Sequence, residues 1–355
     1  MRPLLLPFVL RGNLRRYFSG SSPQTRKIWP FWLVAGRGGG GSVSYCLRQR
    51  ENNCELSPDH FTPYRISYKK NVDSSHFLME LTPLQEQRIN MWAKMSSDRL
   101  WSVEIKQPDV MVVRSYTPLP LQVEKESGHL KLLPDGENAG GAFLLYLKKY
   151  GNGEVARWLN GLPEGHIIEV SGPFVEYELP LYEEEVSRNR DFFFDDKIRP
   201  EEKFKYKPID IAMFTAGTGI ASALQMLLTE SPLRGKMLLC YSCGTIEELG
   251  PLKPFLNQLQ KHARIDLHVF ESSKQADRSK RLKEIWEIMP KPSKYSGLVP
   301  FQNSPEGFHP VLSLVCGPER YISSLAGPKI NLVQGPIDGL LKYKGWSREN
   351  VYKLS

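Results

Sequence analysis

The stretch that most restricts the fold is Ile209-Asp-Ile-Ala-Met-Phe214, followed by Ala216-Gly217-Thr218-Gly219 and then Ile220-Ala-Ser-Ala-Leu-Gln-Met-Leu-Leu228. A short apolar run of strand length leads through a glycine turn into a run of helical character. Further pairs of the same kind follow, with strand-like runs at 237–241 and 265–270 and helical ones at 251–260 and 279–288. Strands alternating with helices predict a parallel sheet covered on both faces, a Rossmann-like α/β domain over 208–355. A glycine turn between strand and helix is where a nucleotide diphosphate belongs. Gly217 and Gly219 let the backbone approach phosphate, and Thr218 offers a hydroxyl. Read as GxGxxG, the third glycine is missing.

Upstream the texture differs. From 61 to 177 short β-rich runs, at 64–68, 76–81, 101–105, 143–147 and 166–170, are separated by Pro and Gly. Such spacing predicts an antiparallel barrel, assigned to 58–180. Between the two regions lies 181–207, acidic and interrupted by Phe192, Phe193 and Phe194. It has two readings, a solvated insertion or a surface that steers a basic partner such as cytochrome c.

Three peptides stand in order, about 100 residues apart: Arg114-Ser115-Tyr116-Thr117-Pro118, the Gly217 turn, and Cys316-Gly317-Pro318. Together they resemble the flavin and nicotinamide sites of the ferredoxin-reductase superfamily, in its NADH-cytochrome b5 reductase branch. The resemblance runs from about Phe61 to the end of the chain and implies an FAD enzyme drawing hydride from NADH or NADPH. It gives Arg114 the flavin diphosphate, Tyr116 the packing against the ring and Thr117 a hydroxyl near flavin N5, with Ser115 between them. Arg suits a diphosphate better than Lys because its planar fork bonds in pairs. Gly153-Glu154-Val155-Ala156 matches the turn whose helix N-terminus receives phosphate. Two departures occur there: Ala156 replaces a hydroxyl, and Glu154 stands where the b5 reductases carry Lys. Ser222 also stands where the superfamily often has Pro. The resemblance places Cys316, with Gly317 and Pro318, beside the nicotinamide, where the thiol positions rather than attacks. Glu248 matches an acid that accepts ribose hydroxyls, a lean toward NADH.

The net charge of +8 suggests an anionic partner until its distribution is read. Arg2, Arg11, Arg15, Arg16, Arg26, Lys27, Arg37, Arg48 and Arg50 precede the first acid, so the body of the chain is slightly acidic. A basic footprint for nucleic acid is absent. Residues 1–27, rich in Arg, Leu and Ser, have the composition of a mitochondrial presequence. Residues 28–47 have the length of a membrane span, with Trp29, Trp32 and Tyr45 as interface anchors. Arg37 and the glycines favour the other reading, a linker. Five cysteines at irregular spacing do not read as a disulfide framework. Cys240 and Cys243, three apart on one strand, point to opposite faces and suit neither zinc nor dithiol chemistry.

These ends, the insertion and Ala156 carry a narrower resemblance, to the fungal mitochondrial factors of cytochrome c import and haem attachment. It implies a protein of the mitochondrial inner membrane, its catalytic domain facing the intermembrane space, with haem, cytochrome c and its haem lyase as partners. FAD would take hydride from NAD(P)H and pass electrons singly to haem. Two other readings stand beside this one: a general electron donor to cytochrome b5, and a non-catalytic assembly factor that keeps the fold.

Overall fold

The computed structural model describes residues 54–95, 98–151, 153–179, 190–194, 210–229, 235–293, 308, 310–330 and 334–354. The leader at 1–27, the candidate span at 28–47 and most of the insertion at 181–207 lie outside them. Among the described residues no helix is long and apolar enough to cross a membrane. All of them belong to the unit Leu47–Ser355.

The first lobe is built from β1 Thr62–Asn71, β2 His76–Pro83, α1 Met91–Met95, β3 Arg99–Gln107, β4 Val112–Tyr116, β5 Pro118–Leu119, β6 Leu121–Val123, β7 Leu130–Leu132, β8 Phe143–Lys148, α2 Glu154–Gly161 and β9 Ile167–Glu178. Seven of these strands form one sheet in the order β4-β3-β9-β1-β2-β8-β5, and β6 pairs with β7. Alternation makes the sheet. In β1, Tyr64 and Ile66 are buried while Pro63, Arg65 and Ser67 face solvent. Phe77, Met79 and Leu81 of β2 turn into the barrel core with Trp101, Val103 and Ile105 of β3. Leu78 of the same strand joins a second cluster, shared with the other lobe.

The expected barrel is only partly closed. Its edge strands β4 and β5 do not pair with each other, although Thr117 alone separates them in sequence. The chain steps from one edge of the sheet to the other at that residue. Pro118, which has no N–H, cannot carry a ladder across the step.

The second lobe contains β10 Asp210–Ala216, α3 Ile220–Leu228, β11 Met237–Cys243, α4 Lys253–Lys261, β12 Ile265–Glu271, α5 Arg278–Ile288, β13 Pro310–Cys316, α6 Glu319–Ala326, α7 Gly339–Tyr343 and β14 Val351–Lys353. Its strands pair in parallel in the order β12-β11-β10-β13-β14. The order reverses between β10 and β13, and the crevice at such a switch point is where open α/β sheets bind ligands. Cys240 belongs to the cluster on one face of this sheet and Cys243 to the cluster on the other. Burial raises both thiols, that of Cys243 to about 12 with Glu248 and Glu271 adding to the rise.

Every residue of α3 is buried, because the helix lies between the two lobes. The described part of the insertion is partly buried, with Phe194 left half-exposed. Arg190 is 2% exposed, and the Phe192 ring stacks on His262 at 4.1 Å. The acidic stretches on either side lie outside the described residues.

Candidate functional site

The side of the site expected to take nucleotide forms where β10 and β13 end together, Thr215 opposite Cys316. Gly217–Gly219 makes one tight turn and α3 starts at once. Gly217 has φ +55°, and a Cβ built on it would meet nothing within 4 Å, so space stands open beside this backbone. Gly219 is the opposite case. Its Cβ would fall 2.8 Å from the Cys316 carbonyl oxygen and 3.1 Å from Sγ. Gly317, at φ +151°, backs onto Ala216 in the same way. Pro318 caps α6 with its carbonyl, which accepts from the N–H groups of Tyr321 and Ile322.

The Cys316 thiol is buried, which raises its pKa, while the Ser222 hydroxyl 3.5 Å away works against the rise. It is therefore held as a thiol. Thr218 lies beside Tyr150, a side chain of the first lobe, and its hydroxyl works against the rise that burial gives the phenol pKa.

On the side expected to take flavin, β4 carries Arg114 and Ser115, both exposed. The Arg114 Nη1 donates to the Val113 carbonyl at 2.9 Å, which leaves the rest of its fork toward solvent. Tyr116 packs against the barrel core, and burial raises its phenol well above the usual value despite Arg114 nearby. Helix α2 packs against β3 and against β4, the strand that carries Arg114. Gly153 caps this helix without a side-chain bond, which leaves the first-turn N–H groups to other acceptors. Val155 and Ala156 are buried in the helix's inner face, and Glu154 is exposed. Arg157, one residue past the motif, is exposed and bonds the Gly151 carbonyl at 3.2 Å.

The two sides meet at a small cleft whose lining includes Ser102, Ser115, Thr117, Glu176, Ser222 and Gln225. Thr117 comes from the step between β4 and β5, while Ser222 and Gln225 come from α3. Ser102 donates to Glu176 at 2.6 Å, fixing a carboxylate at the cleft wall. Lys329 donates to the Leu354 carbonyl at 2.8 Å, and burial lowers its pKa. Glu248 lies apart from this cleft. Its Oε2 stands 3.8 Å from His76 Nε2, and its carbonyl accepts from the Tyr146 hydroxyl at 2.7 Å.

Glu176, Ser102 and Gln225 were not anticipated from sequence. Only Gln225 left a signal there, as a lone amide in the otherwise apolar end of α3, three residues after Ser222 and so on the same helix face.

The geometry fits a flavin and a nicotinamide nucleotide. A helix with uncapped N–H groups packs on the strand of an exposed arginine, open space adjoins a left-handed glycine, and a polar cleft is lined from both lobes. No family model matches the chain. An FAD-binding protein of Schizosaccharomyces pombe is 24% identical over 94% of this chain and all of its own. NADH-cytochrome b5 reductase 2 of Meyerozyma guilliermondii is 25% identical over 74% of this chain and 81% of its own. The cytochrome c mitochondrial import factor CYC2 of Saccharomyces cerevisiae is 52% identical over 315 residues, 86% of each chain. At that identity and coverage, the chain belongs to the family of the cytochrome c mitochondrial import factor CYC2.

Proposed function

We propose that the chain is an FAD-dependent NAD(P)H oxidoreductase of mitochondria that delivers electrons singly to haem, so that haem can be attached to cytochrome c. The observation that carries this reading is the cleft shared by Thr117 of the first lobe and Ser222 of the second, with Cys316 against Ser222. A hydride donor and acceptor need their reacting atoms within about 3–3.5 Å, and a cleft lined from both lobes supports such an approach.

In this reading Arg114 and the first-turn N–H groups of α2 hold the flavin diphosphate, with Gly153, Glu154, Val155 and Ala156 forming the turn. Glu154 opposes the charge there, and Arg157 offsets it. Tyr116 packs against the ring, Ser115 lines the cleft, and the Thr117 hydroxyl offers a hydrogen bond at the reacting edge. Gly217, Thr218 and Gly219 receive the nucleotide diphosphate. Gly317 and Pro318 shape the floor, and Cys316 orients the nicotinamide as a neutral thiol. Glu248 turns from His76 to meet the ribose. Bound FAD would convert a two-electron donor into one-electron steps, the chemistry that haem iron requires.

The names of the relatives support flavin, NADH and a role in cytochrome c import. The arginine-rich, acid-free start supports a mitochondrial presequence at 1–27, and 28–47 an anchor holding 58–180 and 208–355 on the intermembrane-space side of the inner membrane. Haem, cytochrome c and its haem lyase are the proposed partners. The exposed acid Glu154 at the phosphate end of α2 favours a second reading, an assembly scaffold without flavin.

A visible spectrum of the purified full-length chain, followed by anaerobic addition of NADH or NADPH, separates the two. Flavin bands that bleach identify the reductase and its donor, and haem against cytochrome b5 then tests the acceptor. A colourless protein that takes up no added FAD would leave the scaffold.

A further inference from the structure

The open seam of the barrel is closed by a side chain from the other lobe. β4 ends at Tyr116, opposite Val103 of β3, so Trp101 lies beyond the last rung of that ladder. β5 starts at Pro118 on the opposite edge of the sheet and pairs only with β8. Gln225 of α3, 0% exposed, fills this gap. Its Oε1 accepts from the Trp101 N–H at 3.0 Å, and its Nε2 donates to the Trp101 carbonyl at 3.0 Å and to the Pro118 carbonyl at 2.9 Å. One amide thus gives Trp101 both bonds that a neighbouring strand would give, and ties the same point to the residue after Thr117. All the hydrogen-bonding groups of the side chain are in use. Three bonds at full burial leave it no other conformation of similar energy.

We infer that Gln225 is a positioning residue that sets Thr117 against Ser222 and Cys316 across the cleft. This inference rests on the reductase reading proposed above. Helix α3 carries the three parts in order: the Gly217–Gly219 turn at its start, Ser222 against the Cys316 thiol one turn in, and Gln225 on the barrel seam a turn later. The strand that would hold the flavin is therefore referenced to the helix that would hold the nucleotide by a single rigid link. Neither the turn nor the Arg114 strand depends on Gln225 for its own fold, so the link acts on the relation between sites and not on either site.

The test compares the full-length chain with Gln225→Leu and Gln225→Glu. Leu keeps the volume and makes none of the three bonds. Glu keeps the acceptor for the Trp101 N–H and can donate to a carbonyl only when its carboxyl is protonated. Three readouts are taken: flavin content from the spectrum, the rate of anaerobic bleaching by nucleotide as a function of pH, and hydrogen exchange of the Trp101 amide. In Gln225→Leu flavin content stays at the wild-type level, the Trp101 amide exchanges faster, and bleaching slows on the order of ten- to hundred-fold, the scale of a misplacement near 1 Å. In Gln225→Glu bleaching recovers toward the wild-type rate as the pH is lowered into the carboxyl range, which a general loosening of the fold would not produce.

A Leu variant that bleaches at the wild-type rate overturns the inference, as does a Glu variant equally slow at every pH. If Leu fails to fold, the pH profile of the Glu variant decides alone. Wild-type chain that binds no flavin overturns the reductase reading itself, and the Trp101 exchange then still reports whether the link exists.

Discussion

Gly219 decides whether the two strand ends of the site can come together. Its Cβ would lie 2.8 Å from a backbone oxygen of Cys316, and backbone cannot rotate away as a side-chain tip can. Gly219→Ala is expected to push β13 from the turn, at a cost of about 1–3 kcal/mol, the range for overpacking a tight site. Gly217→Ala meets open space and carries only the left-handed backbone, about 1 kcal/mol. Nucleotide titration and thermal melting of both variants check the contrast. Gly219→Ala should lose nucleotide affinity, and equal affinity in the two variants would sink this account of the turn. The neighbouring Cys316 follows the same logic of packing. A raised thiol pressed against Ser222 is suited to shaping a surface and not to covalent attack.

At the scale of elements, α3 is the member on which both lobes depend. Gln225 holds its middle, and Arg190 holds its end. Arg190 donates from Nη1 to the Leu228 carbonyl at 2.6 Å and from Nη2 to the Leu133 carbonyl at 2.9 Å, and its Nε reaches Asp135 at 3.0 Å. The last helical carbonyl thus gets a cation, the favoured partner at a helix C-terminus. Removing a buried guanidinium that serves two carbonyls costs about 2–3 kcal/mol on the scale of charged hydrogen bonds. Arg190→Ala should lower the urea midpoint by a corresponding amount. Arg190→Lys should recover only part, because an ammonium cannot reproduce the planar fork. An unchanged midpoint in Arg190→Ala would show that the insertion does not latch the lobes. Phe192 on His262 and Phe193 near Phe255 complete this latch with apolar contact.

Across the whole molecule, the lobes also meet at a buried polar node. His76 is fully buried between Asp73, 2.7 Å from its Nδ1, and Glu248 of the second lobe, and it stacks on Tyr146. Burial acts to raise the Asp73 carboxyl, but the backbone N–H groups of Ser75 and His76 and the imidazole prevail and hold it at about 2, below its ordinary 3.8. A carboxylate with a depressed folded pKa stabilises the fold above its unfolded value and loses that contribution as pH falls through the folded one. The Asp73 contribution is therefore complete above about 4 and gone once the pH has fallen through about 2. Asp73→Asn should flatten stability against pH in that window. Chemical denaturation across the range measures it, and an unaltered acid limb would remove Asp73 from the account.

Much of the architecture was legible in the order of residues because its signals are local. The apolar run at 209–214 became β10, Ile220–Leu228 formed the expected helix, and the runs at 237–241 and 265–270 became β11 and β12. Periodicity in these segments is set by which face each residue must bury, and that needs no knowledge of the partner. Thr117 and Cys316 could likewise be singled out, being tied to turns at strand ends, whereas Ser222 stood out only as a departure from the superfamily's Pro. Three things came only from tertiary structure: the unclosed seam at Thr117, the burial of Arg190 and Phe192 from a segment that looks solvated, and the inward turn of Glu248 to His76. Gln225 shows why. An amide in an apolar helix costs free energy unless every polar group is met, and its three partners lie 107 and 124 residues away in the chain. Sequence could mark Gln225 as anomalous, but only the packing of one lobe on the other supplied the backbone groups that make it stable.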